Sequence, residues 1–315
     1  MYPKLHTLFK YAVSVITAIV MLGSSTVMAA ANDGSSDRPL RVVLIPADGG
    51  TEDGTRKDFE PIFNAISEVT GLNFEIKVGQ SYGAVVEAMC NGAADIAWFG
   101  PLAYLQAHER GCANLLAMAV SKGESVYYSG IFARKDSGIN SINDIPNKTI
   151  ALGDINSASS FNIPVAMMLR EGVDPARDAA SIVMAGSHSN VLSALSQGLV
   201  DVGGASYDSY EKALNAGAID GSKIKVIARS VPLPYPPLAI QPEVSADIKA
   251  RLQDAFNTVH TMPNIKPEQI RGYGGTRVDR YTSDVSEESL AELGDMLTSV
   301  THDVKQSILA ASNKR

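Results

Sequence analysis

The sequence predicts an α/β protein of two lobes, each a mostly parallel β-sheet flanked by helices. Short apolar strands alternate with helical repeats in two successive series, which is the pattern of such sheets. Of the 315 residues, about 286 remain once a predicted leader of 29 residues is removed. That length suits two compact lobes better than one core.

The first lobe is predicted for residues 38–130. Strands are expected at residues 41–45, 74–78 and 95–99, with a polar, glycine-bearing loop at 48–54. Between the first two strands, Phe59, Ile62, Phe63, Ile66 and Val69 recur at helical spacing, and a second helix is expected at 84–90. Strands that alternate with helices in this way predict a mostly parallel sheet.

The second lobe is predicted for residues 131–228. A turn at 145–147 leads to a strand ending at Gly153 and a helix running through Leu169, followed by strands at 181–184 and 200–203 and a helix at 191–197. Apolar stretches at 129–133 and 224–228 are expected to cross between the lobes. Residues 229–315 are expected to complete the first lobe. The chain is expected to re-enter that lobe through the proline-rich segment at 231–237 and to form amphipathic helices over 245–314.

The N-terminus has the pattern of a secretory signal peptide over residues 1–29. Lys4 and Lys10 precede an apolar run at 11–22, and small residues follow, with cleavage expected after Ala29 or Ala31. The run is shorter than the roughly 20 residues that span a bilayer, which argues against a membrane anchor. We therefore expect a periplasmic protein that does not insert into the membrane after cleavage.

The chain is acidic, with a formal charge of −7. Removal of the leader takes away two lysines and no acid, which brings the charge to −9. This balance argues against nucleic acid as a partner. A bound anion must instead be held by local dipoles and hydroxyl groups.

Cys90 and Cys112 are the two cysteines of the chain. In an oxidising compartment an even pair favours a disulfide. The alternative is a thiol pair for a soft ion such as arsenite, with His108 nearby in the sequence. That alternative would make the protein a periplasmic oxyanion or arsenite sensor that docks on a receptor.

Residues 149–164 carry the strongest functional signal. An apolar strand runs through a turn into a helix whose start bears Ser157, Ser159 and Ser160. Free backbone N–H groups at a helix start, aided by the helix dipole and by hydroxyl groups, can hold a tetrahedral oxyanion. A lone serine at such a place is more often an N-cap. Three hydroxyls within four residues favour a binding site.

Two further strand ends carry polar residues, His188 and Asp208. Ligands of α/β folds collect at such strand ends. A carboxylate can accept a hydrogen bond only from an oxyanion that still carries a proton. Asp208 would therefore favour phosphite, phosphonate or phosphate over fully ionised sulfate.

A competing motif is Gly79-Gln80-Ser81-Tyr82-Gly83, which fits the nucleophile elbow of a serine hydrolase. His188 and His260 lie downstream. The motif follows only the second strand, however, and no glycine-rich oxyanion segment precedes it. A serine hydrolase using Ser81 is thus the weaker alternative.

In combination, the motifs resemble the phosphate, phosphite and phosphonate substrate-binding proteins of ABC transporters. The resemblance spans the chain from about Leu40 to the last helices. It rests on Ser81-Tyr82 before a helix, Asp95-Ile96-Ala97-Trp98-Phe99-Gly100-Pro101-Leu102-Ala103-Tyr104, Gly153-Asp154-Ile155-Asn156-Ser157-Ala158-Ser159, and His188 followed by Val200-Asp201-Val202-Gly203.

The resemblance implies a type II periplasmic-binding-protein fold, in which two hinge strands join the lobes and the cleft closes on the ligand. It implies a binding protein and not an enzyme, with no cofactor and no metal. The expected partners are a small phosphorus oxyanion and an inner-membrane ABC permease. The ligand-binding positions that it implies are Tyr82, Tyr127, Ser157, Ala158, Ser159, His188 and Asp208.

Two departures from the family pattern bear on the ligand. The cradle of the family usually reads Ser-Thr-Ser, whereas Ala158 here removes one side-chain donor. Members that hold aminoalkylphosphonates place an acid in the segment that corresponds to residues 232–237, which carries no charge here. We therefore expect phosphite or a short alkylphosphonate such as methylphosphonate over 2-aminoethylphosphonate, with phosphate as a third candidate.

Overall fold

The computed structural model describes residues 32–46 and 52–313. The predicted signal peptide and most of the predicted loop at 48–54 lie outside these residues. Within the two described ranges, no helix has the length and apolar character needed to cross a membrane.

The described residues form an α/β structure. The strands are β1 Leu40–Leu44, β2 Phe74–Val78, β3 Ile96–Trp98, β4 Asn114–Val120, β5 Val126–Tyr127, β6 Ser129–Arg134, β7 Thr149–Leu152, β8 Ser181–Met184, β9 Val202–Ser206, β10 Ile224–Arg229, β11 Leu233–Pro234, β12 Pro237–Ile240 and β13 Arg280–Thr282. The α-helices are α1 Glu52–Thr70, α2 Tyr82–Cys90, α3 Pro101–Glu109, α4 Ile163–Arg170, α5 Pro175–Asp178, α6 His188–Ser196, α7 Tyr207–Asn215, α8 Ala246–Thr258, α9 Glu288–Met296 and α10 His302–Ser312.

The first sheet has six strands in the order β13-β4-β12-β3-β1-β2. β1 pairs in parallel with β2 and β3, as the alternation of strands and helices predicts. β12 enters from the distant part of the chain and pairs antiparallel with β3 and β4. The sheet is therefore mixed and less parallel than predicted, because local periodicity does not reveal a strand that returns from far along the chain.

Helix α1 covers this sheet with the apolar face that its spacing predicts. Phe59, Ile62, Phe63 and Ile66 are buried, whereas Val69 in the last turn is 55% exposed. The predicted helix is therefore present, and its buried face ends before Val69. The ring of Phe63 packs against Phe74 and Phe256, so residues from three distant segments share one core.

The second sheet has five strands in the order β10-β6-β9-β7-β8. β7 pairs in parallel with β8 and β9, while β6 pairs antiparallel with β9 and β10. The stretches at 129–133 and 224–228, expected to cross between the lobes, instead lie in β6 and β10 of this sheet. The connections lie just outside them, where the short strands β5 and β11 pair antiparallel in a separate two-stranded sheet.

The C-terminal helices do not all pack where the sequence predicts. Helix α8 packs on α1, β4 and β13, and α9 packs on α3 and β11. Helix α10 packs instead on α5 and β8 of the second sheet, with Ile308 fully buried. The expectation that this last helix closes the first lobe is wrong, since an amphipathic pattern identifies a buried face but not the element that covers it.

Cys90 and Cys112 form a disulfide with a Cα–Cα distance of 4.9 Å. The bond joins the end of α2 to the segment after α3, so it braces two helices of the first sheet. Nδ1 of His108 lies 2.9 Å from the carbonyl oxygen of Ala113, and its ring stacks on Tyr104. The structure therefore offers no thiol pair to a soft ion here. Among the residues it describes, no three His, Cys, Asp or Glu side chains are grouped to hold a metal.

Candidate functional site

The serine-bearing segment lies at the end of β7. After Leu152 the chain passes Gly153, where a Cβ atom would overlap Ser160 Oγ, so glycine alone permits the turn. A π-helical turn, Ala158–Asn162, then leads into α4. Such turns are frequent at functional sites. Ser157 precedes this turn, and its hydroxyl accepts a hydrogen bond from the Ser160 N–H at 3.2 Å. Ser157 is therefore the N-cap.

The hydroxyl groups that follow Ser157 are enclosed. Ser159 and Ser160 are 1% and 0% exposed. The Ser160 Oγ atom has no hydrogen-bond partner among the described residues. The Ser159 hydroxyl interacts with the Tyr127 hydroxyl and lowers its pKa. Because a buried hydroxyl costs free energy when it is unsatisfied, this part of the site suits a polar ligand or bound water. Ala158 is also fully buried, but its side chain belongs to the apolar core.

His188 is the first residue of α6 and is fully buried. Its Nδ1 atom accepts a hydrogen bond from the backbone N–H of Ser206 at 3.0 Å. The ring hydrogen of the neutral imidazole is therefore on Nε2. Nε2 lies 3.5 Å from Ser157 Oγ and 2.7 Å from the hydroxyl of Tyr273. The segments that follow β7, β8 and β9 thus bring the helix start at Ser157 close to the Nε2–H donor of His188.

The two predicted tyrosines come from the other side of the site. The hydroxyl of Tyr82, at the start of α2, lies 2.9 Å from that of Tyr273. Tyr127, in β5, packs edge-on to Tyr235 and Tyr273 with ring centroids 6.1 and 5.5 Å apart. Burial raises the pKa of Tyr127 well above its usual range. The aromatic rings therefore form an apolar wall that presents hydroxyl groups.

Asp208 lies in the first turn of α7, directly after β9. Its negative charge also raises the pKa of Tyr127, while the Ser159 hydroxyl acts in the opposite direction. The pKa of Tyr127 therefore responds to both Asp208 and Ser159, which places the three side chains near one another. Of the seven predicted positions, six bring polar side chains to this region, and Ala158 brings only its backbone groups.

Two residues of the site were not predicted as ligand contacts from the sequence, Tyr273 and Asp154. Tyr273 is buried among Tyr82, Tyr127 and His188, yet it follows them by 85 residues or more. The flanking glycines, Gly272 and Gly274, were the available signal, because a glycine-rich turn lets the backbone around an aromatic residue pack closely against neighbouring elements. Asp154 belongs to the motif that carried the resemblance, but its side chain had no assigned role.

Three polar contacts join the elements on either side of the site. Asp154 Oδ2 accepts a hydrogen bond from the Tyr82 N–H at 3.1 Å. Gln106 Nε2 donates to Asn156 Oδ1 at 3.2 Å. Asp58 on α1 and Lys212 on α7 form an ion pair in which Nζ donates a hydrogen bond to Oδ2 at 2.7 Å. The site therefore lies between the two large sheets.

The serine-hydrolase alternative loses its main support. Ser81 has an extended backbone, with φ −155° and ψ 165°, and its Oγ atom accepts a hydrogen bond from the Ala84 N–H at 3.1 Å. A nucleophile elbow holds its serine on a strained turn with an exposed hydroxyl. Ser81 is instead an ordinary N-cap of α2.

Buried hydroxyls, a neutral imidazole and tyrosines lie together between the two sheets, an arrangement suited to a small polar ligand. The family model of the ABC transporter, phosphonate, periplasmic substrate-binding protein matches residues 50–301. The chain belongs to this family and is a substrate-binding protein of an ABC transporter.

Known proteins agree with this assignment. The phosphonates-binding periplasmic protein of Escherichia coli K12 is 25% identical over 251 residues, which cover 78% of this chain and 73% of that protein. The phosphate-import protein PhnD of Mycolicibacterium smegmatis is 29% identical over 202 residues, 61% of this chain and 62% of that protein. A solved structure of PhnD1 from Prochlorococcus marinus with methylphosphonate has a TM-score of 0.71 at 15% identity, covering 83% of this chain and 97% of that one. The fold is thus that of periplasmic binding proteins.

Proposed function

We propose that this protein captures a small phosphorus oxyanion, either phosphite or a short alkylphosphonate such as methylphosphonate, and delivers it to an ABC permease. The observation that carries the proposal is the meeting of His188 Nε2 with the capped helix start at Ser157. The imidazole N–H and the buried hydroxyls of Ser159 and Ser160 are hydrogen-bond donors suited to a tetrahedral anion. A net charge of −7 gives no general attraction for anions, so selection rests on these local donors.

Asp208 supports a ligand that still carries a proton. A carboxylate close to an anion site repels a fully ionised anion but accepts a hydrogen bond from a protonated oxygen. Its charge already acts on Tyr127, which belongs to the same group of side chains. We infer that the Asp208 carboxylate selects against sulfate, which is fully ionised. Phosphate can carry a proton and is therefore expected to compete with the proposed ligands.

The proline-rich segment at 232–237 supports a ligand without an amino group. Leu233 and Tyr235 are 0% and 2% exposed, and the segment carries no charge that could pair with an ammonium group. An ammonium group enclosed by such surroundings would lose its hydration without compensation. We expect 2-aminoethylphosphonate to bind more weakly than methylphosphonate.

We further propose that binding closes the two sheets on the ligand in the periplasm, after removal of residues 1–29. One lobe carries the six-stranded sheet and comprises residues 38–128 together with the chain after β10, and the other carries the five-stranded sheet with α10 packed on it. The paired strands β5 and β11 connect the lobes and would form the hinge. A ligand held from both sides shifts the population toward the closed arrangement.

Thermal unfolding in the presence of candidate anions tests the ligand class. A ligand at one hundred times its Kd stabilises the folded protein by about 2.7 kcal/mol, which raises the Tm measurably. We expect phosphite and methylphosphonate to raise the Tm most, phosphate less, and sulfate, arsenite and 2-aminoethylphosphonate least. If none of the phosphorus compounds raises the Tm, the proposed ligand class is wrong.

A further inference from the structure

Tyr273 enters the candidate site from a segment that the sequence did not connect with it. Its hydroxyl lies 2.7 Å from His188 Nε2 and 2.9 Å from the hydroxyl of Tyr82. The side chain is only 2% exposed. One phenolic oxygen thus contacts two of the groups that the proposed function assigns to the ligand.

The direction of the hydrogen bond to His188 follows from its other nitrogen. Because Nδ1 accepts from the Ser206 N–H, Nε2 carries the ring hydrogen and donates it to the Tyr273 oxygen. That single hydrogen cannot serve the Tyr273 oxygen and a ligand oxygen with good geometry at the same time. An oxyanion that accepts a hydrogen bond from His188 Nε2 must therefore displace the Tyr273 oxygen.

The segment around Tyr273 is built to hold the ring there. The Tyr273 N–H donates to the Tyr235 hydroxyl at 2.9 Å, and Thr276 Oγ1 donates to the Tyr273 carbonyl oxygen at 2.9 Å. Gly274 and Gly275 have φ values of +66° and +69°, which favour glycine. A Cβ atom at Gly275 would overlap the carboxylate of Asp58. Glycine thus supplies the backbone conformation of the turn at both positions, and at Gly275 it also allows close approach to α1.

We propose that Tyr273 is an internal competitor that sets the affinity of the site for its oxyanion. This inference rests on the proposed function. When the oxyanion binds, it takes the His188 N–H and the Tyr82 hydroxyl, and the Tyr273 hydroxyl moves away with its glycine-rich turn. A charged oxygen is a stronger acceptor than a neutral phenol, so the ligand wins the exchange. The exchange costs the hydrogen bonds that Tyr273 makes beforehand.

The test compares Tyr273→Phe with the wild type by isothermal titration calorimetry, using phosphite and methylphosphonate. The variant keeps the ring and removes the competing oxygen, so we expect the Kd for both ligands to fall about tenfold. Tyr104→Phe is the matched control, because it removes another buried tyrosine hydroxyl, one that donates to Glu287 away from the Tyr273 turn. The Kd of the control should equal that of the wild type.

The outcomes separate this inference from the proposed function. A Kd that is unchanged or higher in Tyr273→Phe, with a wild type that binds, overturns the competitor role and leaves the proposed function intact. Binding by Tyr273→Phe alone supports the competitor role strongly. If neither protein binds either compound, the proposed function fails, and this inference fails with it.

Fluorescence of Trp98 supplies a second measurement. Trp98 is the single tryptophan of the chain, and it lines a cavity of about 20 Å³ together with Tyr273, Gly274 and Gly275. Movement of the turn would change the packing around the indole. We expect phosphite to shift the emission of the wild-type protein. Calorimetric binding without any change in emission would contradict the displacement of Tyr273.

Discussion

The Nδ1 atom of His188 accepts a hydrogen bond from the backbone N–H of Ser206 at 3.0 Å. This contact joins the first residue of α6 to the end of β9 and fixes the tautomer of the imidazole. The ring therefore presents an N–H at Nε2 to the site without carrying a positive charge. An acidic protein thereby holds an uncharged N–H donor whose presence depends on backbone geometry and not on a cationic side chain.

Replacement of His188 by alanine should weaken oxyanion binding by about 10- to 100-fold. The loss corresponds to a hydrogen bond between protein and a charged group, about 1.5–3 kcal/mol. Calorimetric titration with phosphite measures it. His302→Ala is the matched control, since His302 is exposed at the start of α10 and should leave the Kd unchanged. An unaltered Kd for His188→Ala would assign that residue a purely structural role.

The ion pair between Asp58 and Lys212 should favour the closed arrangement. The two residues belong to helices α1 and α7, on different sheets, and their side chains are 25% and 28% exposed. A pair of this kind contributes up to about 1 kcal/mol. We expect Lys212→Met to raise the Kd for methylphosphonate by up to about fivefold.

The charge-swapped double variant, Asp58→Lys with Lys212→Asp, tests whether the contact itself matters. It restores an ion pair with reversed polarity and should recover part of the affinity. A Kd that stays the same in Lys212→Met would mean that the pair does not influence closure.

Asp154 should make stability depend on pH. Burial raises the pKa of its carboxyl above the usual range, although the N–H groups of Asn156 and Tyr82 donate to it and oppose the shift. The folded protein therefore holds this proton more tightly than the unfolded chain does. The contribution of Asp154 to the free energy of unfolding is fully present below the pKa that its carboxyl has in the unfolded chain. It is lost as the pH rises through the higher pKa of the same carboxyl in the folded protein.

Asp154→Asn removes this titration while keeping the shape of the side chain. Urea unfolding at about pH 4 and about pH 7 compares the variant with the wild type across the range in which the carboxyl titrates. We expect the free energy of unfolding of the variant, relative to the wild type, to increase from the lower pH to the higher. The same difference at both pH values would show that Asp154 titrates normally.

The disulfide should stabilise the fold without affecting the ligand. Closing a loop of this size contributes about 3 kcal/mol in the chain-entropy model. The double variant Cys90→Ser with Cys112→Ser should lower the free energy of unfolding by that amount and leave the Kd for phosphite unchanged. Thiol titration of the unfolded, unreduced wild type should detect no free thiol, and two thiols would contradict the pairing.

Local patterns identified most of the elements around the site. The strand that ends before Gly153 and the helix after it appear in the structure because an apolar run, a glycine turn and serine caps act over a few residues. His188 and Asp208 could be associated with this segment because strand ends of one sheet gather at the same edge. Ser157 is an N-cap, and its hydroxyl also lies 3.5 Å from His188 Nε2, while its part in ligand binding stays a prediction.

Other features were beyond local patterns. The placement of β6 and β10 in one sheet, the packing of α10 on the second sheet, and the approach of Tyr273 to His188 all depend on contacts between residues far apart in the chain. An apolar stretch shows that a segment is buried but not which segment covers it.

The amino-acid sequence alone was sufficient for the α/β class, the serine-capped helix start and the family resemblance, because each depends on short-range spacing and residue chemistry. The tertiary structure was needed to show which groups accept hydrogen bonds from the donors of the site. The tautomer of His188 depends on a backbone N–H from another strand, and the Tyr273 hydroxyl reaches the same imidazole from a distant turn. Long-range packing determines such contacts, and no local pattern encodes them.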